Sequence, residues 1–254
     1  MIKDMNSNYG KLCAWFYDLD KPIPPQDAMD FYLSYTDVNM SILEPMCGSG
    51  RFLVPFAEKG YFIDGFDVSA EMLKRCKEKM KNAKNNHILR HCDFLEYTPE
   101  KYYDFVFITS CSFSLITEEA LAKSYLNHLK GLTSPNGKIV LELLTADAMS
   151  RQSDNEKVVE ENNIEIVLSQ NKIRIDDVKN IVYSVLKYEL YENKRLIETE
   201  EQNFNIKYYQ SNEFEMYLKE IGMKLENKYI DYRKIRYNGQ RTEMLIYELS
   251  SNNC

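Results

Sequence analysis

A chain of 254 residues, 44% of them hydrophobic, is long enough for one large domain or a domain carrying a sizeable insertion. Its formal charge of -7 at pH 7 argues against an extended nucleic-acid footprint, which needs a basic surface to displace counterions. With no apolar run of about 18 residues, no basic-then-apolar leader and six scattered cysteines without a C-x-x-C pair, the composition predicts a soluble cytoplasmic protein with reduced thiols, no metal site and no membrane association.

Residues 1–40 read as helical or irregular, with a turn at Pro22 to Pro25 and a helix from about Gln26 to Tyr35. Before it, Cys13-Ala14-Trp15-Phe16-Tyr17-Asp18 is apolar and aromatic, and either closes over a ligand or packs the N-terminal helix on the core. Ser41 to Asp67 is the stretch around which the rest of the chain is organised. Ile42 and Leu43 feed a tight turn at Cys47-Gly48-Ser49-Gly50, where glycine permits positive φ and close approach of a ligand to bare backbone. A helix with Phe52 and Phe56 one turn apart runs on to Gly60, and Tyr61 to Asp67 is a second strand. In a right-handed βαβ unit Asp67 lies beside the glycine turn, placed to accept hydrogen bonds from a ribose diol. A nucleoside-containing cofactor is the expectation.

Ser69 caps a helix with Met72, Cys76 and Met80 on one face and lysines on the solvated face. His87 to His91 is a short third strand with Asp93 at its tip, and the apolar run Tyr103 to Ile108 is a strand buried on both faces. After the polar loop Thr109 to Ser114, Thr117 is placed to cap a helix with Leu121, Tyr125, Leu129 and Leu132. Ser134-Pro135-Asn136-Gly137 reads as a turn before the strand Lys138 to Leu144. Strands alternating with helices predict a doubly wound, mostly parallel α/β sheet.

After Thr145 the period changes. Ser150 to Asn163 is polar and reads as a connection; Ile164 to Tyr209 then alternates with period two, in segments around Ile164 to Leu168, Ile173 to Ile175, Val182 to Leu190 and Leu196 to Ile206, with a turn at Glu192-Asn193. This is an inserted antiparallel sheet, whose aromatics Tyr183, Tyr188, Tyr191, Phe204, Tyr208 and Tyr209 either wall a pocket or pack across strands. Ser211 starts an amphipathic helix with Phe214, Tyr217, Leu218 and Ile221, and strands at Lys224 to Tyr232 and Glu243 to Leu249 bring the main sheet to seven. The stretch Tyr232 to Tyr237, with Arg241, mixes basic and aromatic residues and reads as a solvated hairpin end rather than a phosphate contact. No catalytic residue is assigned. His128 falls opposite the leucine stripe, facing solvent, His87 and His91 flank a strand away from its ligand-facing end, and Glu142 within the fifth strand reads as a buried, hydrogen-bonded carboxylate.

Ile42-Leu43-Glu44-Pro45-Met46-Cys47-Gly48-Ser49-Gly50, Asp67, Cys92-Asp93-Phe94 and Tyr103 to Ile108, in that order, resemble the class I S-adenosylmethionine-dependent methyltransferases. The insert is similar to that of the branch acting on small amines, including glycine and amino-sugar N-methyltransferases. The resemblance implies a Rossmann-like methyltransferase fold divided into an N-terminal helical lid (1–40), a core (41–148 and 210–254) and a substrate-side β insert (149–209). It implies that Gly48, Ser49 and Gly50 approach the cofactor, Glu44 its amino group and Asp67 its ribose. Val68 and Met72 would cover the adenine, Asp93 and Phe94 hold its amino group and ring, Ser110 and Cys111 flank the methionine part, and Tyr17 cover the whole. Pro45 and Met46 stand where many members have small residues. The expected partner is a small-molecule methyl acceptor, most simply an amine, on a monomer or homodimer. RNA or protein methylation, a non-catalytic cofactor-binding regulator and an NAD-dependent oxidoreductase are the alternatives; the last is disfavoured because Leu53 replaces the third glycine of G-x-G-x-x-G and Asp93 is left without a role.

Overall fold

The computed structural model describes residues 9–82, 87–149, 156–210 and 212–251. Tyr103–Ile108 forms β4, whose alternate side chains enter two different apolar layers: Phe105 and Phe107 on one face, Val106 and Ile108 on the other. A strand with both faces buried demands helices on both sides. β4 lies between β1 (Ser41–Pro45) and β5 (Thr133–Leu144), and the seven-stranded sheet is completed by β2 (Phe62–Asp67), β3 (Leu89–His91), β10 (Lys224–Tyr229) and β11 (Met244–Ser250) in the order β3-β2-β1-β4-β5-β11-β10. All neighbours are parallel except β11, antiparallel to both β5 and β10. The order reverses between β1 and β4, which opens a crevice at their carboxyl ends.

One face of the sheet carries α2 (Gln26–Leu33), α3 (Leu53–Glu58) and α4 (Ala70–Lys79); the other carries α5 (Glu119–Leu132) and α6 (Glu213–Glu220). α3 begins after a one-turn lead-in from Gly50. Leu53 packs where the third glycine of a dinucleotide fingerprint would sit, and the space it needs comes from the strand: a Cβ on Gly65 of β2 would stand 2.4 Å from Leu53 Cδ1. Ser69 caps α4 as its sequence position requires, accepting the Met72 amide at 3.2 Å and donating to the Tyr9 carbonyl at 2.7 Å. Ser69→Ala should therefore cost about 1 kcal/mol in a chemical denaturation experiment; an unchanged midpoint would show that the cap contributes nothing.

The second sheet joins β6 (Lys157–Glu161), β7 (Ile164–Asp176), β8 (Ile181–Glu192) and β9 (Arg195–Lys207) in sequence order, all antiparallel. Across its core-facing side lies α1 (Lys11–Asp20), whose Leu12, Cys13 and Phe16 bury against Ile166, Leu186, Tyr188 and Leu190. Glu200 of β9 caps α1 across the chain, accepting the Leu12 amide at 2.9 Å and the Cys13 amide at 3.0 Å. Asp18, at the other end of α1, pairs with Arg75 and Lys79 of α4. The helix α1 thus ties the insert to the main sheet.

Several sequence expectations need correction. Lys157–Glu161 is an edge strand, not a connection; residues 150–155 of that stretch, and Ser211, lie outside the described residues. The Ser134 to Gly137 turn is a bulge within β5, since Thr133 pairs Tyr103 and Lys138 pairs Phe105. Glu118, not Thr117, occupies the cap position of α5, without a side-chain cap bond. β7 is one strand where two segments were expected. His128 is half-buried with its Nε2 2.9 Å from the Tyr97 carbonyl oxygen, so it does not face solvent. His91 closes β3 opposite Asp67, at the ligand-facing end, its Nε2 2.9 Å from the Val68 carbonyl oxygen. No helix among the described residues is long and apolar enough to cross a membrane.

Candidate functional site

The crevice at the switch point holds a partly open cavity. β1 supplies Glu44, the following turn Gly48, β2 Asp67, the start of the next helix Val68 and Met72, the β3 tip Asp93 and Phe94, the β4 tip Thr109 and Ser110, and α1 Tyr17. Nine of the residues implied by the family resemblance therefore converge on one cavity: Tyr17, Glu44, Gly48, Asp67, Val68, Met72, Asp93, Phe94 and Ser110. Ser49, Gly50 and Cys111 do not border it. Ser49 is buried with an unpartnered hydroxyl, and Gly50, at φ 79°, is a packing glycine whose Cβ would lie 2.5 Å from Cys76 Sγ. Gly48, at φ 54°, faces the cavity, and a Cβ there would find only Met72 Sδ, at 3.9 Å. Met46 takes φ 57° where the family has small residues, so the turn carries a left-handed methionine as well as two left-handed glycines.

Two buried carboxylates, Glu44 and Asp67, line the cavity. Glu44 is 2% exposed; its Oε1 accepts from Thr109 Oγ1 at 3.3 Å, and its Oε2 has no hydrogen-bond partner. Burial pushes its carboxyl well above the usual carboxylate range. An unpaired buried carboxylate is costly alone, and an ammonium group placed there would relieve it. Asp67 accepts the Gly48 amide on Oδ2 and the Ser69 amide on Oδ1, each at 2.8 Å, and retains lone pairs toward the cavity. Burial raises its pKa, while the backbone amides oppose the rise. Asp93 caps a short turn through the Leu95 amide, and Phe94 stacks on Tyr125 with ring centroids 4.1 Å apart, which fixes an apolar wall.

A second cavity adjoins the first and shares Tyr9, Tyr17, Arg51, Ser110, Ser112 and Leu115 with it. Its other walls come from α1, from β5 and from the insert through Leu168, Gln170, Leu186, Tyr188, Phe204 and Ile206. Of the insert aromatics singled out in the sequence, Tyr188 and Phe204 border this space, while Tyr208 and Tyr209 are buried elsewhere in packing. Tyr232 departs from the solvated-hairpin reading: its hydroxyl donates to Glu142 at 2.8 Å, and both residues border the cavity. Arg233 and Lys234 keep that reading, the former paired to Asp231 and the latter resting on the Tyr35 ring at 4.0 Å. Glu142 is buried and hydrogen-bonded, as its strand position implied. Sequence reasoning missed Tyr9, Arg51 and Thr109, which reach the cavities through tertiary placement; only the adjacency of Arg51 to the glycine turn offered a signal.

Residues 42–137 match the family described as a methyltransferase domain. No curated protein matches the chain. Among solved structures it is similar to an S-adenosylmethionine-dependent methyltransferase from Clostridium acetobutylicum (16% identity, 93% of this chain and 96% of that one, TM-score 0.76). It is likewise similar to the CcbJ methyltransferase from Streptomyces caelestis (18% identity, 97% and 99%, TM-score 0.76). The sugar N-methyltransferase KedS8 from a Streptoalloteichus species shares 14% identity over 97% of this chain and 98% of its own, with a TM-score of 0.71. Residues 42–137 thus carry a methyltransferase domain, and the chain as a whole shares the Rossmann-like fold of these methyltransferase structures.

Proposed function

We propose that the protein transfers a methyl group from S-adenosylmethionine to a nitrogen of a small amphipathic amine held in the second cavity. The observation that carries this reading is the pair of adjoining cavities: one is lined by a buried carboxylate with one unpartnered oxygen and by bare glycine backbone, and the other is walled by α1 and the insert. In the first cavity Glu44 would receive the cofactor's ammonium, Asp67 its ribose hydroxyls, Val68 and Met72 its adenine face, and Asp93 with Phe94 the adenine edge. Bound there, the cofactor supplies an electrophilic methyl group on a sulfonium. The chain's own work is to align the nucleophile, exclude water and keep both cavities dry. Tyr17 and Ser110 lie on the shared wall, where acceptor and methyl would meet. The helix α1 then acts as a lid over both cavities, and the insert sheet as the acceptor-side wall.

Nitrogen is favoured over oxygen because a hydroxyl needs a positioned base. The carboxylates bordering the second cavity are both engaged, Glu142 by Tyr32 and Tyr232 and Asp20 by Lys157 at 2.5 Å. A neutral amine needs no such base. The names of the similar KedS8 and of the glycopeptide N-methyltransferase MtfA, to which the chain is also similar, agree with a nitrogen acceptor on a small molecule. Incubating the protein with methyl-labelled S-adenosylmethionine and a panel of amphipathic amines, each paired with its matching alcohol, should label amines alone. Label confined to alcohols, or to RNA or protein included in the panel, would contradict the assignment.

A further inference from the structure

Glu142 has no exposed surface, yet it borders the second cavity from within β5. Its carboxylate is saturated by three segments: Oε1 accepts from Tyr32 of α2 at 2.5 Å and from Tyr232 of the C-terminal hairpin at 2.8 Å, and Oε2 accepts the Cys111 amide at 3.1 Å. The third donor has a particular place. Ser110 and Cys111 are consecutive non-glycine residues in the left-handed region, at φ 57° and 54°, and such backbone persists only where its surroundings hold it. Ser110 borders both cavities and Cys111 borders the second. Immediately before them, Thr109 donates to Glu44 at the end of the first cavity. The turn at the passage between the cavities is therefore strung between two buried carboxylates, Glu44 through Thr109 and Glu142 through Cys111.

We infer that Glu142 is a positioning residue: it holds the Ser110–Cys111 turn in its left-handed form, and through that turn it keeps Glu44 and Ser110 aligned on the cofactor. This rests on the reading of the first cavity as an S-adenosylmethionine site. Glu142 acts through the turn rather than as a proton acceptor, because all its donors already point at it. Glutamine could keep all three bonds, its oxygen accepting the Cys111 amide and its N–H₂ donating to the two tyrosine hydroxyls, whereas leucine has no acceptor and loses all three. Glycine at position 111 adopts positive φ without a side-chain penalty, so it removes part of the need for the restraint.

The test is a double-variant cycle read by calorimetric binding of S-adenosylhomocysteine, with melting temperatures recorded to confirm that each variant is folded at the titration temperature. Glu142→Leu should weaken binding at least tenfold in the wild-type background and less than threefold in the Cys111→Gly background. A cost equal in the two backgrounds, or under twofold in the wild type, would overturn the inference, since a carboxylate that merely packs the fold would not be relieved by glycine at 111. If Glu142→Leu does not fold, the cycle is run with Tyr232→Phe, which removes one donor and keeps the ring; a cost reduced by Cys111→Gly supports the positioning role, and an equal cost or none refutes it. Failure of the wild-type protein to bind S-adenosylhomocysteine would instead refute the cofactor assignment, which separates the two claims.

Discussion

Replacing Glu44 by glutamine should weaken S-adenosylhomocysteine binding by about 10- to 100-fold while raising the melting temperature of the cofactor-free protein by about 2 to 4 °C. The opposed signs come from one geometry. Glu44 is buried, satisfied on Oε1 by Thr109 and unpartnered on Oε2, so the free protein holds a carboxylate it cannot solvate. The same oxygen, facing an ammonium, makes a charge-assisted bond in a dry site. The pH dependence is set by the direction of the shift. Because burial raises the folded-state pKa of Glu44, its contribution to stability is fully present below the unfolded value of about 4.3 and is lost as pH rises through the folded value. The melting-temperature advantage of Glu44→Gln over the wild type should therefore grow from about pH 4.5 toward neutrality. A variant less stable than wild type throughout that range would show that Glu44 has a partner in the free protein.

Asp67→Ala should weaken the same ligand by about 1 to 3 kcal/mol, roughly 5- to 150-fold, and, unlike the Glu44 variant, should also lower the melting temperature. Here the carboxylate is already employed, holding the Gly48 and Ser69 amides at 2.8 Å each and so fixing the glycine turn to the start of α4. Alanine removes the proposed ribose acceptor and leaves two backbone donors without their partner. Asparagine keeps one acceptor oxygen and should retain part of both affinity and stability. If Asp67→Ala bound S-adenosylhomocysteine as the wild type does, the ribose would have to lie elsewhere and the placement of the cofactor along β2 would be wrong. Paired titrations and thermal melts distinguish the two carboxylates: one variant trades affinity for stability, the other loses both.

The stretch Ser41 to Asp67 was legible because its information is local. Glycines, the turn between them and a carboxylate 19 positions beyond Gly48 fix a strand, turn, helix and strand without help from the rest of the chain. The sequence does not tell which glycine faces the ligand. Gly48 borders the cavity and Gly50 backs onto Cys76, a division set by how α4 lies on β2. Lys157–Glu161 escaped the strand reading because an edge strand with solvated flanks needs no apolar alternation and is protected by charge. Tyr232 looked like part of a basic surface hairpin because its neighbours Arg233 and Lys234 are; its own hydroxyl turns inward to Glu142, 90 positions away in sequence. Glu142 itself was readable as buried, but its meaning lies in Tyr32, Cys111 and Tyr232, which only the fold brings together. The second cavity is illegible for the same reason: its walls come from α1, β5, the insert and the C-terminal hairpin, none of which carries a motif.

The most direct test of the central claim is calorimetry on the full chain with S-adenosylmethionine, S-adenosylhomocysteine and NAD. The Glu44 carboxylate and the open backbone of Gly48 lead to the expectation that the first two bind at one site per chain and that NAD gives no heat of binding. Binding of NAD without binding of S-adenosylhomocysteine would contradict it.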